Sequence, residues 1–222
     1  KFCEDGGGIE GALQPMQLEY IKLHKPKFVR LLAYLRRHKF KSDANTDRAG
    51  MHVHISKDKF TSEQFKRLIK FMIVNKELVK KIARRTPRHM YKRQESLANA
   101  DALLLQSAFD AITRISSSTR ALTVNRHLEQ LTLEFRLFNS TCYASVFFGN
   151  IEFIHSLWNY SKPDIFVYKL DNYFMFLKEN KKQYPNLIKN LIKLGYKMPN
   201  LKINKNENIK SKLHPIQASI KL

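Results

Sequence analysis

The segments at residues 50–56 (Gly-Met-His-Val-His-Ile-Ser) and residues 131–138 (Leu-Thr-Leu-Glu-Phe-Arg-Leu-Phe) decide the fold. Both segments alternate apolar and polar residues, which is the pattern of a β-strand whose successive side chains point to opposite faces. The alternation predicts that one face of each strand packs on a core. The opposite face carries two histidines in the first strand, and a glutamate and an arginine in the second.

The polar faces of these two strands have the chemistry of a site. Two imidazoles and a carboxylate can bind a divalent metal, and a guanidinium can bind a phosphate or a carboxylate. Neighbouring strands would bring His52, His54, Glu134 and Arg136 together. A half-exposed strand also presents polar residues to solvent without any function, so each segment alone is weak evidence. The two segments in one chain favour a shared site.

The rest of the sequence mixes strands with helices. A short strand is expected before Pro15, and a strand at 120–125 is expected to form a hairpin with the 131–138 strand. Thr61 and Gln64 have the spacing of a capping box. Because strands and helices do not alternate strictly, the pattern predicts an α+β fold with a mostly antiparallel sheet, not a doubly wound parallel one. Apolar spacing predicts helices beginning at Pro26 and after Thr61, and helices at about 75–85, 97–115, 146–160, 171–180 and 185–194.

Length and charge limit the organisation and the partners. A chain of 222 residues suits one domain, expected at 1–198, followed by a basic tail at 199–222 that is predicted to be disordered. The net charge of +21 favours anionic partners such as nucleotides or nucleic acid. The basic segment at 76–93 could contact a phosphate backbone, although a solvated helix face followed by a basic loop is the favoured explanation.

Cysteine usage and hydropathy favour a cytoplasmic protein. Cys3 and Cys142 form neither a metal-type cluster nor a disulfide framework, which fits a reducing compartment. No apolar run reaches the length of a membrane span, and no signal-peptide pattern is visible.

The same residues resemble the signature of the amidoligase family. The resemblance rests on 50–54 with Ser56, on Asn125, and on 132–138 with Thr141. Amidoligases are ATP-dependent carboxylate–amine ligases with a fold of the glutamine-synthetase/glutamate–cysteine-ligase type. The resemblance to the family extends over roughly residues 3–195. The further similar segments are Asp5-Gly6, Glu10, Gln14-Pro15-Met16 and Tyr184-Pro185-Asn186-Leu187.

The resemblance implies a curved, mostly antiparallel sheet with helices on its outer face and the active site inside. ATP would transfer a phosphoryl group to a carboxylate, and an amine would then displace the phosphate. The implied cofactors are ATP and Mg²⁺, and the implied partners are a carboxylate substrate and an amine substrate. The implied metal-binding residues are Glu10, His52, His54 and Glu134; the implied catalytic residues are Glu134 and Arg136; the implied nucleotide-binding residues are Arg120, Asn125 and Arg136.

Two features depart from the family pattern. The family opens with a strand that carries a Glu-x-Glu pair, and Lys1 lies downstream of where that strand would be, so the domain is expected to lack its first strand. The family's Arg-Gly-Thr after the glutamate strand is Asn139-Ser140-Thr141 here. Because Mg²⁺ prefers oxygen ligands, His52 and His54 are alternatively expected to contact the substrate or the metal-binding carboxylates.

Three other functions fit parts of the sequence. A degenerate ligase domain could act as a non-catalytic scaffold. A basic nucleic-acid-binding module would explain the charge, although no helix-turn-helix or zinc-finger signature is present. A cupin-like metal site would combine the His-x-His strand with Asp58, but a capped helix follows at Thr61 where a cupin continues with strands.

Overall fold

A computed structural model gives the fold of this chain. In residues 2–5, 8–10 and 122–125, and at residue 57, it describes the backbone alone. The predicted helix at 97–115, Arg120 and the predicted tail beyond residue 199 lie outside the described part. The described residues are 2–5, 8–11, 13–40, 50–84, 122–125 and 132–199.

The strands form two antiparallel units. One is a hairpin of β1 and β2, and the other is a three-stranded sheet in the order β3-β5-β4. The sheet pairs β5 with β3 on one side and with β4 on the other, both antiparallel. The two strands that decide the fold are therefore neighbours, as predicted. The strands are β1 Phe2–Asp5, β2 Gly8–Gly11, β3 Gly50–Ser56, β4 Leu122–Asn125 and β5 Thr132–Asn139.

Helices supply the rest of the described structure. The amphipathic helix after Thr61 begins with the predicted cap, because the Gln64 backbone N–H donates to Thr61 Oγ1 at 3.1 Å. The Gln64 side chain does not complete a capping box; it donates instead to the Trp158 carbonyl at 2.9 Å. The helices are α1 Leu18–Leu23, α2 Lys25–Arg37, α3 Ser62–Val74, α4 Lys76–Ala83, α5 Ala144–Tyr160, α6 Leu170–Glu179 and α7 Pro185–Lys193. A short 3₁₀ turn, Lys57–Lys59, follows β3.

One hydrophobic core joins the sheet to the helices. Apolar residues of β3 and β5 pack with the buried faces of α3 to α7, and Trp158 belongs to this core. The aromatic residues Tyr160, Phe166 and Tyr173 also pack on one another and on Phe71, and therefore serve the core. A second, smaller cluster joins α1 to the start of α5.

The structure confirms the α+β class and the antiparallel pairing, and it corrects two details near the N-terminus. The expected strand before Pro15 ends at Gly11 and pairs with β1. Helix α1 was not predicted, because six residues give too few apolar positions to show a helical period. The finer glutamine-synthetase-like arrangement and the domain limit at residue 198 stay predictions.

Helices α5 and α7 approach closely at Gly149. A Cβ atom built on Gly149 would overlap Asn190 Nδ2. The Asn190 amide is fixed there, since its Nδ2 donates to the Ser145 carbonyl at 2.9 Å. Glycine is therefore the residue that lets these two helices pack.

Gly149→Ala is expected to destabilise the protein by about 1–3 kcal/mol through overpacking, although alanine favours a helix by about 1 kcal/mol. In an Asn190→Ala background the overlap is gone, and the same substitution is expected to stabilise by up to about 1 kcal/mol. Denaturant unfolding of the four proteins of this double-mutant cycle measures both effects. Equal destabilisation in both backgrounds would contradict the Gly149–Asn190 contact.

Candidate active site

The candidate active site is centred on Glu134, in the middle of the central strand. The register places His54 of β3 opposite Glu134 on one side and Thr123 of β4 opposite it on the other. The register between β3 and β5 shifts between Met51 and Val53, at the position of His52. Two residues of β5, Arg136 and Leu137, lie there opposite the single residue His52 of β3, so the extra residue is on β5.

Three side chains converge on one oxygen of Glu134. Arg136 Nη1 lies 2.6 Å from Glu134 Oε1, and His52 Nδ1 lies 3.0 Å from the same atom. His54 Nε2 lies 3.8 Å from it, at ion-pair distance. The four side chains that the sequence predicted to share a site are therefore in one cluster.

The orientation of His54 depends on a residue of the same sheet face. His54 Nδ1 lies 3.3 Å from the Thr132 hydroxyl, which turns Nε2 toward Glu134. Thr132 was not predicted as a site residue. Its signal in the sequence was the two-residue alternation, which puts Thr132 on the same face as Glu134.

Burial and charge act in opposite directions on Glu134. Its side chain is only 10% exposed. Burial raises the pKa of the carboxyl group, but the hydrogen bond with His52 and the charge of Arg136 outweigh it and lower the pKa from the ordinary 4.5 to about 2. Glu134 is therefore ionised at neutral pH. Its hydrogen-bond donors, Arg136 and His52, are groups that can also bind the anion of a ligand.

The other predicted site residues are less fully described. Glu10 lies on β2, where its backbone is opposite Cys3, and Asn125 lies on β4, opposite Thr132. The side chains of Glu10 and Asn125 are outside the described part, as is the whole of Arg120. Their predicted roles stay predictions.

The described residues hold no preformed metal site. Within them, no group of three or more His, Cys, Asp or Glu side chains is arranged to hold a metal ion. At Glu134 the guanidinium and both imidazoles contact the same oxygen. The arrangement in hand is an ion-paired cluster.

The sequence that carries this cluster matches a known protein family. The sequence profile of a family described as "putative amidoligase enzyme" matches residues 26–158, more than half of the chain. The chain belongs to this family. No curated protein and no solved structure gives a significant match.

Membership of an amidoligase family indicates a ligase that joins a carboxylate to an amine. The matched span contains the whole Glu134 cluster, together with Arg120 and Asn125, whereas Glu10 and the Tyr184–Leu187 segment lie outside it. Of the helices in the described residues, none combines the length and the apolar character needed to cross a bilayer.

The pKa of Glu134 predicts a pH dependence of stability. Because the pKa is lower in the folded state, ionised Glu134 stabilises the fold above about pH 4.5, and this contribution is lost as the pH falls toward about 2. Over that range the native protein is expected to lose about 3 kcal/mol more unfolding free energy than Glu134→Gln. Denaturant unfolding at several pH values measures this difference.

The matched control is Asp164→Asn, which removes a fully exposed carboxylate 3.8 Å from Arg67. It should follow the acid profile of the native protein. If Glu134→Gln also follows that profile, Glu134 is not held in the ionised state by its neighbours.

Proposed function

We propose that this chain is an ATP-dependent carboxylate–amine ligase that works through an acyl phosphate at the Glu134 cluster. One observation carries the proposal: in a member of an amidoligase family, Arg136, His52 and His54 converge on a single buried carboxylate within the matched region. The lowered pKa of Glu134 supports it, because perturbed pKa values are concentrated at functional sites.

The proposed reaction has two steps. A carboxylate oxygen of the first substrate attacks the γ-phosphorus of ATP, which forms an acyl phosphate and releases ADP. The amine of the second substrate then attacks the acyl carbon, so that an amide forms and inorganic phosphate leaves. The amine loses a proton in this step. His52 and His54 are candidates to accept it, since an imidazole nitrogen can act as a general base.

Arg136 has the role of binding the anionic groups of the reaction. Its guanidinium is already paired with a carboxylate at 2.6 Å, and the same planar set of donors can bind a phosphoryl oxygen or a substrate carboxylate. Glu134 holds the guanidinium in position between turnovers. His52 and the Thr132–His54 pair in turn hold Glu134.

The donor set does not suit a magnesium site built from described residues alone. Mg²⁺ takes oxygen ligands, and the cluster offers one carboxylate and two imidazoles. We therefore assign Mg²⁺ to the substrate MgATP, with Glu134 and Glu10 as the residues that would hold it. Bound there, the ion would neutralise charge on the transferred phosphoryl group.

The basic surface supports a separate prediction. With a net charge of +21, salt-dependent association with DNA or RNA is expected independently of the ligase reaction. The family match favours the ligase over a nucleic-acid module.

Hydroxylamine tests the reaction without knowledge of the natural amine. The protein is incubated with MgATP, a mixture of the twenty amino acids as carboxylates, and hydroxylamine. Hydroxamate and ADP are expected in equal amounts, because hydroxylamine traps an acyl phosphate. Arg136→Lys is expected to lower the rate by about a hundredfold, since an ammonium cannot reproduce the grip of a guanidinium.

Arg30→Lys on the exposed face of α2 is the matched control and should keep the full rate. A thermal-shift titration with MgATP completes the test: the native protein should gain stability on binding, and Glu134→Gln should not. A full thermal shift of the Glu134→Gln variant with MgATP would show that ATP binds away from the Glu134 cluster. ADP release without hydroxamate would exclude the acyl phosphate.

A further inference from the structure

Helix α2 lies in the segment where positive charge is least balanced. Residues 20–42 contain eight Lys or Arg and no Asp or Glu. Helix α2, Lys25–Arg37, occupies the middle of this segment. None of its cations forms an ion pair with a residue that the structure describes. The charge on this helix is therefore available to an anionic partner.

The apolar side of α2 is already used inside the protein. The Phe28 ring packs on the rings of Phe147 and Phe148 of α5, with ring centres 5.9 and 6.1 Å away, and Leu32 is buried. These contacts hold the helix against α5. They also determine which of its sides faces solvent.

The solvent-facing side of α2 combines cations with an exposed aromatic ring. Lys27, Tyr34, Arg37 and His38 are all exposed, and their spacing of seven, three and one residues puts them on one side of the helix. Tyr34 is 56% exposed, and its ring centre lies 4.2 Å from that of His38. We call these four residues the α2 surface.

The α2 surface suits a nucleic acid better than a membrane. A helix that lies on a bilayer buries its apolar side in the lipid, and that side of α2 packs on α5 instead. An exposed aromatic ring between cations is the arrangement that contacts a single strand, since the cations bind phosphates and the ring stacks on a base. In a duplex the bases are stacked on one another and cannot reach the ring.

The length of the α2 surface also fits a strand. Lys27 and Arg37 are separated by about 15 Å along the helix axis, at a rise of 1.5 Å per residue. A stacked strand has roughly four phosphates over that distance, at about 3.4 Å each. Two cations and the tyrosine between them can therefore contact one short stretch of the same strand.

We propose that the α2 surface binds single-stranded nucleic acid. Lys27 and Arg37 contact backbone phosphates, and one base stacks on Tyr34, whose ring packs against His38. These contacts are to groups that DNA and RNA share, so similar affinities are expected for the two. This binding does not depend on the ligase reaction.

Fluorescence anisotropy of the full chain with labelled oligothymidylate and oligouridylate of about 12 nucleotides tests the stacking contact. Tyr34→Leu is expected to weaken binding of both about tenfold, whereas Tyr34→Phe, which keeps a ring, should stay within about twofold of the native affinity. A labelled duplex should bind Tyr34→Leu as well as it binds the native protein. Equal affinities of the Leu and Phe variants for the single strands, or an equal loss with the duplex, would overturn the proposal.

A second pair of variants tests the phosphate contacts. Lys27→Gln with Arg37→Gln is expected to weaken single-strand binding about tenfold and to lower the slope of log affinity against log salt by about 1.4. Lys189→Gln with Lys193→Gln is the matched control, because it removes the same charge from two exposed positions of α7. Its affinity should stay within about twofold of the native value. Equal weakening by the two pairs would show attraction by the general positive charge and would overturn the assigned surface.

The same variants distinguish loss of binding from loss of folding, and a nucleic acid from a membrane. All the substituted side chains are exposed, so every variant is expected to unfold at the native midpoint. Vesicles of phosphatidylcholine and phosphatidylserine provide the comparison. Vesicle binding that Lys27→Gln with Arg37→Gln weakens, without oligonucleotide binding, would overturn the proposal in favour of a membrane surface. No oligonucleotide binding by the native protein would also overturn it, without bearing on the hydroxamate assay.

Discussion

The ionised carboxylate of Glu134, buried in the central strand of the sheet, is the constraint on which the candidate active site depends. A buried charge is tolerated only when it is paired and hydrogen-bonded. Arg136 and His52 provide that pairing at 2.6 and 3.0 Å, and His54 lies slightly farther away. Because β5 is bonded on both sides, the backbone that carries Glu134 is fixed, and its charged neighbours must keep their positions to pair with the carboxylate.

A second buried carboxylate shows how a structural role differs from this one. Glu152 of α5 accepts hydrogen bonds from the Leu187 N–H at 2.8 Å and from Asn186 Nδ2 at 2.5 Å, and so caps the start of α7. Its donors are neutral amides, and burial therefore dominates and raises its pKa. Burial also raises the pKa of Glu134, but there the charged partners outweigh burial and lower the pKa. Because these partners are charged, they can bind another anion in place of the Glu134 carboxylate.

The sequence predicted the sheet and the cluster because both follow from local periodicity. A two-residue alternation in two strands determined which side chains share a face, and the observed antiparallel register then places His54 opposite Glu134. The register shift at His52 could not be predicted, since it depends on how the two strands pack. Helix α1 is too short to show a period.

The limits of the family match separate the Glu134 cluster from the last helix of the described part, α7. All four residues of the Glu134 cluster lie inside residues 26–158, on strands whose pairing fixes their geometry. Helix α7 lies wholly outside the match. Helix α7 is held against α5 by the Glu152 cap and by the close approach at Gly149. The proposed chemistry therefore depends on the matched sheet, whereas the contacts of α7 with α5 stabilise the core behind it.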